Sequence, residues 1–271
     1  MANRVAEARS AHEKLVQGAF RFLFCRRPDL GVRAHKLLEG AAGRSLPVKL
    51  DIVKRIPVGG GLGGGSSDAA AVLISLNKLF SLGMTTEALS AAGATLGSDV
   101  AFFIDNASPP APAFVGGFGD EIERIPHLGA ELILIIPPFS CATPAVYAAF
   151  DVELADRVKL KRLDYGPTYQ PPTDRDELVK KRISKAHHVR DVRDQLLMND
   201  LYLPALKVEP RLGQLATRLG NMTRHDVHMT GSGSCLFLIT DQHRADTLME
   251  KVARANDPEE PFVAMRTKLV G

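Results

Sequence analysis

The most informative part of this sequence is a glycine-rich stretch, Pro57-Val58-Gly59-Gly60-Gly61-Leu62-Gly63-Gly64-Gly65-Ser66-Ser67-Asp68. Six of the seven residues from 59 to 65 are glycine. Glycine loses more conformational freedom on folding than any other residue, so such a run is expected where the backbone takes unusual torsion angles or a ligand approaches main-chain N–H groups closely. The sequence therefore predicts that this part of the backbone contacts a ligand.

The residues on either side predict a strand, a loop and a helix, in that order. Residues 47–56 alternate between apolar and polar side chains, which is the pattern of a half-buried strand. Apolar residues then recur at helical spacing over 72–80, and we expect Ser66 or Ser67 to be the N-cap, with Asp68 in the first turn. Unpaired N–H groups and the helix dipole attract anions to a helix N-terminus. The stretch is therefore predicted to bind phosphate.

The glycines fit neither of two common phosphate loops. A Walker loop needs a lysine directly after its last glycine, and none follows Gly64 or Gly65. Gly59-x-Gly61-x-x-Gly64 satisfies the dinucleotide fingerprint, but that fingerprint expects a second strand ending in an acidic residue about 20 positions on. Here Thr85-Thr86-Glu87 opens another helix instead. A flexible linker is the remaining alternative, and the patterned strand and helix on its flanks argue against it.

Composition predicts a globular cytoplasmic protein of roughly two domains. The chain has 271 residues, 45% of them apolar, and no apolar run that would span a membrane or serve as a signal peptide. Its formal charge is +3, and no segment interleaves basic and aromatic residues, so we expect no nucleic-acid partner. Cys25, Cys141 and Cys235 are widely separated, which predicts buried thiols rather than disulfides or a zinc site. We assign no metal-ligating residues.

Residues 57–71 resemble the ATP-binding motif of the GHMP kinases, a superfamily that includes galactokinase, homoserine kinase and mevalonate kinase. Residues 61–70 are similar to the version found in 4-diphosphocytidyl-2-C-methyl-D-erythritol kinases, the ATP-dependent enzymes of non-mevalonate isoprenoid (terpenoid) biosynthesis. This resemblance implies that ATP lies over the glycines and that Ser66 or Ser67 contacts phosphate or Mg²⁺. The implied ATP-binding residues are Pro57, Val58, Gly59, Gly60, Gly61, Leu62, Gly63, Gly64, Gly65, Ser66 and Ser67.

Two further segments resemble this family and occur in the family's order. Leu96-Gly97-Ser98-Asp99-Val100-Ala101-Phe102-Phe103 is similar to the family's Leu-Gly-Ala-Asp-Val-Pro-Phe-Phe, which implies that Asp99 is the catalytic acid/base. From the residues alone, Asp99 is interpreted as an N-cap before an apolar turn. Residues 227–239 resemble the third conserved segment, which implies that Gly231, Ser232 and Gly233 form a loop on the substrate side.

The resemblance also implies a fold and a reaction. The fold is α+β, the GHMP kinase fold, with an N-terminal domain like the second domain of ribosomal protein S5 over 1–128 and a ferredoxin-like C-terminal domain over 129–271. The reaction is phosphorylation of the 2-hydroxyl of a cytidine diphosphate-linked alcohol, by a monomer or homodimer. A GHMP kinase for another small alcohol and a nucleotide-binding remnant without catalysis remain as alternatives.

One family motif is missing from the sequence. The family's Pro-Ala-Lys-hydrophobic-Asn-Leu segment, whose lysine lies in the active site, is absent, so we expect an incomplete N-terminal domain. An amphipathic helix over 5–24, with His12 at the edge of the core, is interpreted as the family helix that follows this segment. A start codon assigned too far downstream is our preferred explanation, and a truncated gene or a lineage that lost the segment are the others.

The rest of the chain carries weaker patterns. We interpret the glycine turn over 116–120 as structural, the basic residues over 178–194 as a solvated insertion, and Tyr147 as a packing residue with substrate stacking as the alternative. The remaining predicted elements are a strand over 131–137, a helix starting at Thr143-Pro144, a helix opened by Asn199-Asp200-Leu201, a helix over 210–219 capped by Gly220-Asn221, a helix over 245–253 and a strand over 261–270.

Overall fold

A computed structural model describes residues 29–105, 109–127, 129–165 and 197–269, with the backbone alone described for 156–165. Three predictions lie outside these residues. They are the helix over 5–24 with His12, the buried thiol of Cys25, and the solvated basic stretch over 178–194.

The described residues form two compact units. One contains residues 29–57 and 63–127, and the other contains 58–62 and 129–269. The glycine stretch is therefore divided at Leu62, although the sequence analysis assigned all of it to the domain 1–128. Its first half belongs to the same unit as the C-terminal sheet.

The first helix of the described chain, α1, covers Leu30–Ala42. It begins at Asp29, whose carboxylate accepts the N–H of Gly31 at 2.8 Å. Leu38 of α1 is fully buried in a cluster shared with α2, which covers Gly64–Leu79. Helix α1 therefore precedes residues 47–56 and the glycine stretch, and the helix predicted over 5–24 lies outside the described residues.

Residues 47–56 belong to no strand of the two sheets that the described residues form. The predicted alternation is present, since Val48 and Leu50 are partly buried whereas Lys49 and Asp51 are exposed. An alternation of apolar and polar residues indicates only that one face of the segment is packed. A strand also needs a neighbouring strand that pairs with its backbone N–H and C=O groups. The predicted buried face is confirmed, and the predicted strand is wrong.

The first unit continues with α3 and a two-stranded hairpin. Helix α3 covers Thr86–Ala94, and Thr85 caps it by accepting the N–H of Ala88 at 3.2 Å, so the predicted start is confirmed. Strands β1 (Ala113–Gly116) and β2 (Glu121–Arg124) pair antiparallel around the glycine turn. The sequence analysis predicted this turn but not its strands, which have only four residues each.

The second unit contains a four-stranded antiparallel sheet with the strand order β4-β5-β3-β6. Its strands are β3 (Glu131–Ile136), β4 (His228–Met229), β5 (Leu236–Thr240) and β6 (Val263–Lys268). Its helices are α4 (Thr143–Tyr165), α5 (Tyr202–Val208), α6 (Arg211–Thr223) and α7 (Ala245–Arg254). A strand, helices, two strands, a helix and a strand, joined in this order, make the ferredoxin-like arrangement. The predicted fold of the C-terminal domain is confirmed.

Helix α6 extends beyond its predicted end. It stops at Thr223, and Arg224 closes it with a left-handed φ of 61°. Gly220 and Asn221, which were predicted as the cap, lie inside the helix. Leu219 and Thr223 are both fully buried, so packing of this face outweighs the weak helix propensity of Gly220.

Lys54 joins three parts of the first unit. Its ammonium group lies 2.7 Å from a carboxylate oxygen of Asp29 and also donates to the carboxylate of Asp68, and its side chain is 13% exposed. Asp29 caps α1 and Asp68 belongs to α2, so one cation links both helices to the segment before the glycines. Burial lowers the pKa of Lys54, but the hydrogen bonds to Asp29 and Asp68 outweigh burial, and the net pKa is raised.

We expect Lys54→Met to lower the free energy of unfolding by about 1–3 kcal/mol, because it leaves two carboxylates facing each other without a cation. The partial exposure of both carboxylates keeps the loss below that of a fully buried pair. Since the pKa of Lys54 is raised above its usual 10.5, its stabilisation is present below that pH and is lost only as the pH rises through the raised value.

Urea unfolding at pH 7 measures this difference. Lys49→Met is the matched control, since Lys49 is an exposed residue of the same segment, and it should change the unfolding free energy by no more than about 0.5 kcal/mol. Equal midpoints for the two variants would contradict the proposed link.

Candidate active site

The glycine stretch turns left-handed at every second residue. Gly59, Gly61 and Gly63 have φ values of 76°, 71° and 68°. Residues with a side chain rarely adopt this conformation, so glycine is required at these three positions. Gly64 has a different reason, because a Cβ there would lie 2.8 Å from the side chain of Ile56.

The carbonyl groups of the first glycines are bound by the turn between β4 and β5. The N–H of Ser234 donates to the carbonyl of Gly59 at 3.2 Å, and the N–H of Cys235 donates to that of Gly60 at 3.1 Å. The hydroxyl of Thr230 donates to the same Gly60 carbonyl at 2.9 Å. Two segments that the sequence analysis had placed in different domains therefore meet within the second unit.

The N–H groups of the stretch are left without acceptors. Among the described residues, none accepts a hydrogen bond from the amides of 59–66, and the first bonded amide is that of Ser67, which donates to the carbonyl of Gly63 at 2.9 Å. Unpaired amides that are only partly exposed are costly unless water or a ligand binds them. With the carbonyls of Gly59 and Gly60 bound and no acceptor for its amides among the described residues, this backbone is suited to an anion.

Helix α2 starts earlier than the sequence predicted. Gly63 occupies the N-cap position without a side-chain cap, so Ser66 and Ser67 lie inside the first turn, and their predicted role as N-cap is wrong. A left-handed glycine can begin the helix before either serine is reached. The hydroxyl of Ser67 instead donates to the carbonyl of Gly64 at 2.9 Å. Asp68 lies in the second turn rather than the first and binds Lys54.

The loop predicted to lie on the substrate side is held by residues that the sequence analysis did not assign to the site. Gly231 and Gly233 have left-handed φ values of 47° and 85°, and the hydroxyl of Ser232 lies 2.9 Å from that of Thr143 at the start of α4. The side-chain amide of Asn199 donates to the carbonyl of Gly231 at 2.8 Å. The resemblance pointed to Asn199 only as part of a helix opening, although a polar residue directly before a helix was a usable signal.

Both cysteines of the second unit are inert thiols. Cys141 and Cys235 are buried and free. Burial raises the pKa of the Cys141 thiol, and it raises the pKa of Cys235 to about 12. Neither side chain is therefore a thiolate at neutral pH, and the prediction of buried thiols is confirmed for these two residues.

Asp99 has an exposed side chain that no described residue binds. It lies in a turn just before a short 3₁₀ helix at Ala101–Phe103, where Val100 occupies the N-cap position and no side chain caps the helix. The interpretation of Asp99 as an N-cap is therefore wrong. The carboxylate is free to meet a ligand from solution.

The backbone next to Asp99 is closely packed. Val100 is fully buried, and a Cβ on Gly93 of α3 would lie 3.0 Å from its side chain. A Cβ on Gly63 would lie 3.0 Å from the ring of Phe103, so the 3₁₀ helix contacts the N-cap of α2. Asp99 therefore combines a free carboxylate with a constrained main chain.

Tyr147 is half exposed on α4, so it is not a core residue, and its interpretation as an interface packing residue stays a prediction. Its neighbour Val146 is the fully buried residue of this turn. The substrate-stacking alternative for Tyr147 stays a prediction.

We expect Gly61→Ala to destabilise the protein by about 1–3 kcal/mol, because the residue has a positive φ and its new Cβ would overlap the carbonyl oxygen of Thr230. Gly40→Ala is the matched control. Gly40 lies in α1 with nothing near its Cβ position, so alanine should stabilise the helix by roughly 0.5–1 kcal/mol. Denaturant midpoints check both, and a neutral Gly61→Ala would contradict the close contact with Thr230.

Comparison with known proteins identifies the chain's relatives. Residues 29–106 match the model of the GHMP kinases N terminal domain. The chain is 34% identical over 209 residues to the 4-diphosphocytidyl-2-C-methyl-D-erythritol kinase of Aromatoleum aromaticum, an alignment covering 77% of this chain and 62% of that relative. It is 34% identical over 231 residues to the same enzyme of Nitrosomonas europaea, covering 83% of this chain and 69% of the relative.

A solved structure agrees with these relatives. The crystal structure of a 4-(cytidine 5'-diphospho)-2C-methyl-D-erythritol kinase is 30% identical with a TM-score of 0.62, and the match covers 90% of this chain and 79% of that one. The chain spans between 62% and 69% of the length of the two curated relatives. With this identity over most of its own length, and with the expected fold, the chain belongs to the 4-diphosphocytidyl-2-C-methyl-D-erythritol kinase family of the GHMP kinases.

Proposed function

We propose that this chain is an ATP-dependent kinase that phosphorylates the 2-hydroxyl of 4-diphosphocytidyl-2-C-methyl-D-erythritol. The observation that carries the proposal is the hydrogen bonding of the glycine stretch, whose amides over 59–66 have no acceptor among the described residues while the carbonyls of Gly59 and Gly60 are bound. This arrangement supports phosphate binding by main-chain N–H groups. The names of the relatives support the choice of substrate.

ATP is proposed to place its phosphates over Gly59 to Gly65, where the free amides and the N-terminus of α2 favour negative charge. Mg²⁺ keeps several waters and is usually held by substrate phosphates with only one or two protein groups. The hydroxyls of Ser66 and Ser67 suit that role. Ser67 donates its proton to the carbonyl of Gly64, which leaves its oxygen lone pairs for a cation. The described residues contain no group of three His, Cys, Asp or Glu side chains that could hold a metal ion.

Asp99 is proposed to accept the proton of the attacking hydroxyl or to orient that hydroxyl. A carboxylate can do this when it lies within hydrogen-bonding reach of the proton. Because Asp99 has no partner among the described residues, it needs no rearrangement to become available. Phosphoryl transfer demands little covalent chemistry from the protein, so positioning and charge neutralisation supply most of the catalysis.

The proposal includes a cytoplasmic enzyme that acts as a monomer or homodimer without a nucleic-acid partner. The near-balanced charge of +3 and the lack of a basic-aromatic segment in the sequence support a small-molecule substrate. None of the helices in the described part of the chain is long and apolar enough to cross a membrane.

The proposal is tested by incubating the chain with Mg²⁺ and ATP and following ADP release with 4-diphosphocytidyl-2-C-methyl-D-erythritol, then with homoserine, mevalonate and galactose. Turnover with the first substrate supports the proposal. Turnover with another alcohol instead would identify that alcohol as the substrate. Normal ATP binding without turnover on any alcohol would favour the nucleotide-binding remnant.

We expect Asp99→Asn to lower kcat by roughly 10²–10⁴-fold, because the amide cannot accept the proton. ATP binding should be unchanged, and thermal stabilisation by Mg-ATP measures it independently of turnover. Asp51→Asn is the matched control, since Asp51 is an exposed carboxylate of the same unit outside the proposed site. An Asp99→Asn variant as active as the parent would show that Asp99 is not the base.

A further inference from the structure

Arg124, the last residue of β2, directs its guanidinium group at the segment that follows Asp99. One terminal nitrogen donates to the carbonyl of Phe102 at 2.9 Å and to that of Ile104 at 3.4 Å. Its Nε lies 3.1 Å from the carboxylate of Asp105. The guanidinium carbon also lies 5.2 Å from the centre of the Phe102 ring. A single side chain therefore binds three residues of this segment, Phe102, Ile104 and Asp105.

Arg124 supplies the hydrogen-bond donors that the backbone carbonyls of this segment lack. The end of a helix leaves carbonyl groups without intrahelical partners, and the 3₁₀ helix at Ala101–Phe103 is only three residues long. Arg124 supplies donors to these carbonyls, and its other terminal nitrogen donates to the carbonyl of Ala111 at 2.7 Å. The planar fork of arginine can reach several acceptors at once, whereas lysine offers one compact ammonium group.

The same hairpin also contacts the chain on the other side of Asp99. Gly119, in the turn between β1 and β2, has a φ of 91°, and a Cβ there would overlap the backbone of Ser98. The hairpin thus touches Ser98 through its turn and residues 102–105 through Arg124. Asp99 lies between these two contacts, and its exposed carboxylate takes part in neither.

We propose that Arg124 is a positioning residue for Asp99. By holding the carbonyls of residues 102 and 104, it fixes the backbone from which the Asp99 carboxylate reaches the acceptor hydroxyl. The inference rests on the proposed role of Asp99 as the base. It assigns to the hairpin, interpreted from the sequence as a structural turn, a part in orienting the catalytic group.

The first test is the split between kcat and KM in Arg124→Lys. A catalytic group displaced by about 1 Å can lose about 10²-fold in rate, so we expect kcat to fall by roughly 10- to 100-fold. KM for ATP should change by less than about twofold, because Arg124 binds none of the proposed ATP-binding residues 57–67 directly. Arg266→Lys is the matched control. Arg266 makes comparable ion pairs with Glu131 and Asp246 in the second unit, and its replacement should leave kcat unchanged.

The second test is a double-variant cycle with Asp99→Asn. If Arg124 acts through Asp99, then Arg124→Lys should lower kcat by less than about twofold when Asp99 is already asparagine. The same fold-loss in both backgrounds would overturn the inference, as would a kcat loss that only follows the fraction of folded protein measured by circular dichroism. Asp105→Asn, which keeps the shape of Arg124's partner and removes its charge, is the second variant if Arg124→Lys does not fold. Asp105→Asn should also lower kcat.

The outcomes separate this inference from the function on which it rests. A parent chain without turnover overturns both proposals. Full turnover in Asp99→Asn overturns the role of Asp99 as the base and with it the positioning role of Arg124, while the proposed kinase function stands. A strong loss in Asp99→Asn together with an independent or absent effect of Arg124→Lys overturns only the positioning role.

Discussion

Two backbone carbonyls, those of Gly59 and Gly60, accept hydrogen bonds from the turn between β4 and β5. The conformation of the glycine stretch depends on these hydrogen bonds. A backbone without side chains has many accessible conformations and would not by itself stay in one that keeps its amides free. Bonds from Ser234, Cys235 and Thr230 select one conformation. They use the acceptors of the peptide groups and leave the donors for a ligand.

The backbone around the proposed catalytic carboxylate is likewise held by contacts that leave the functional group itself available. Asp99 has no side-chain partner among the described residues, and its neighbours carry the constraints. Val100 is fully buried, Ser98 contacts the turn of the hairpin, and residues 102–105 are bound by Arg124. A carboxylate that is free in its side chain and fixed in its backbone can meet a substrate hydroxyl at a small entropic cost.

Sequence patterns predicted the structure well where one cause, the burial of apolar side chains on one face, produces both the pattern and the structure. Apolar periodicity reported the buried face of α2, and the alternation over 47–56 reported a packed face correctly. The same alternation does not indicate whether a neighbouring strand is present to pair with the segment. The predicted strand is absent. Serines were predicted to cap α2, but the left-handed Gly63 begins the helix before them. In α6, tertiary burial of Leu219 and Thr223 carried the helix through Gly220.

By itself, the sequence determined the position of the glycine stretch and the motifs that resemble the GHMP kinases, because these follow from local spacing and residue type. The resemblance, rather than the spacing, implied the ferredoxin-like C-terminal fold. Only the tertiary structure decided which groups hold the stretch in place, and it brought Thr230 to Gly60 across 170 positions of the chain. It also joined Arg124 to the carbonyl of Phe102 across 22 positions. Hydrogen bonds to backbone carbonyls depend on where the chain passes and not on which residue offers the carbonyl, so such contacts leave no pattern in the sequence.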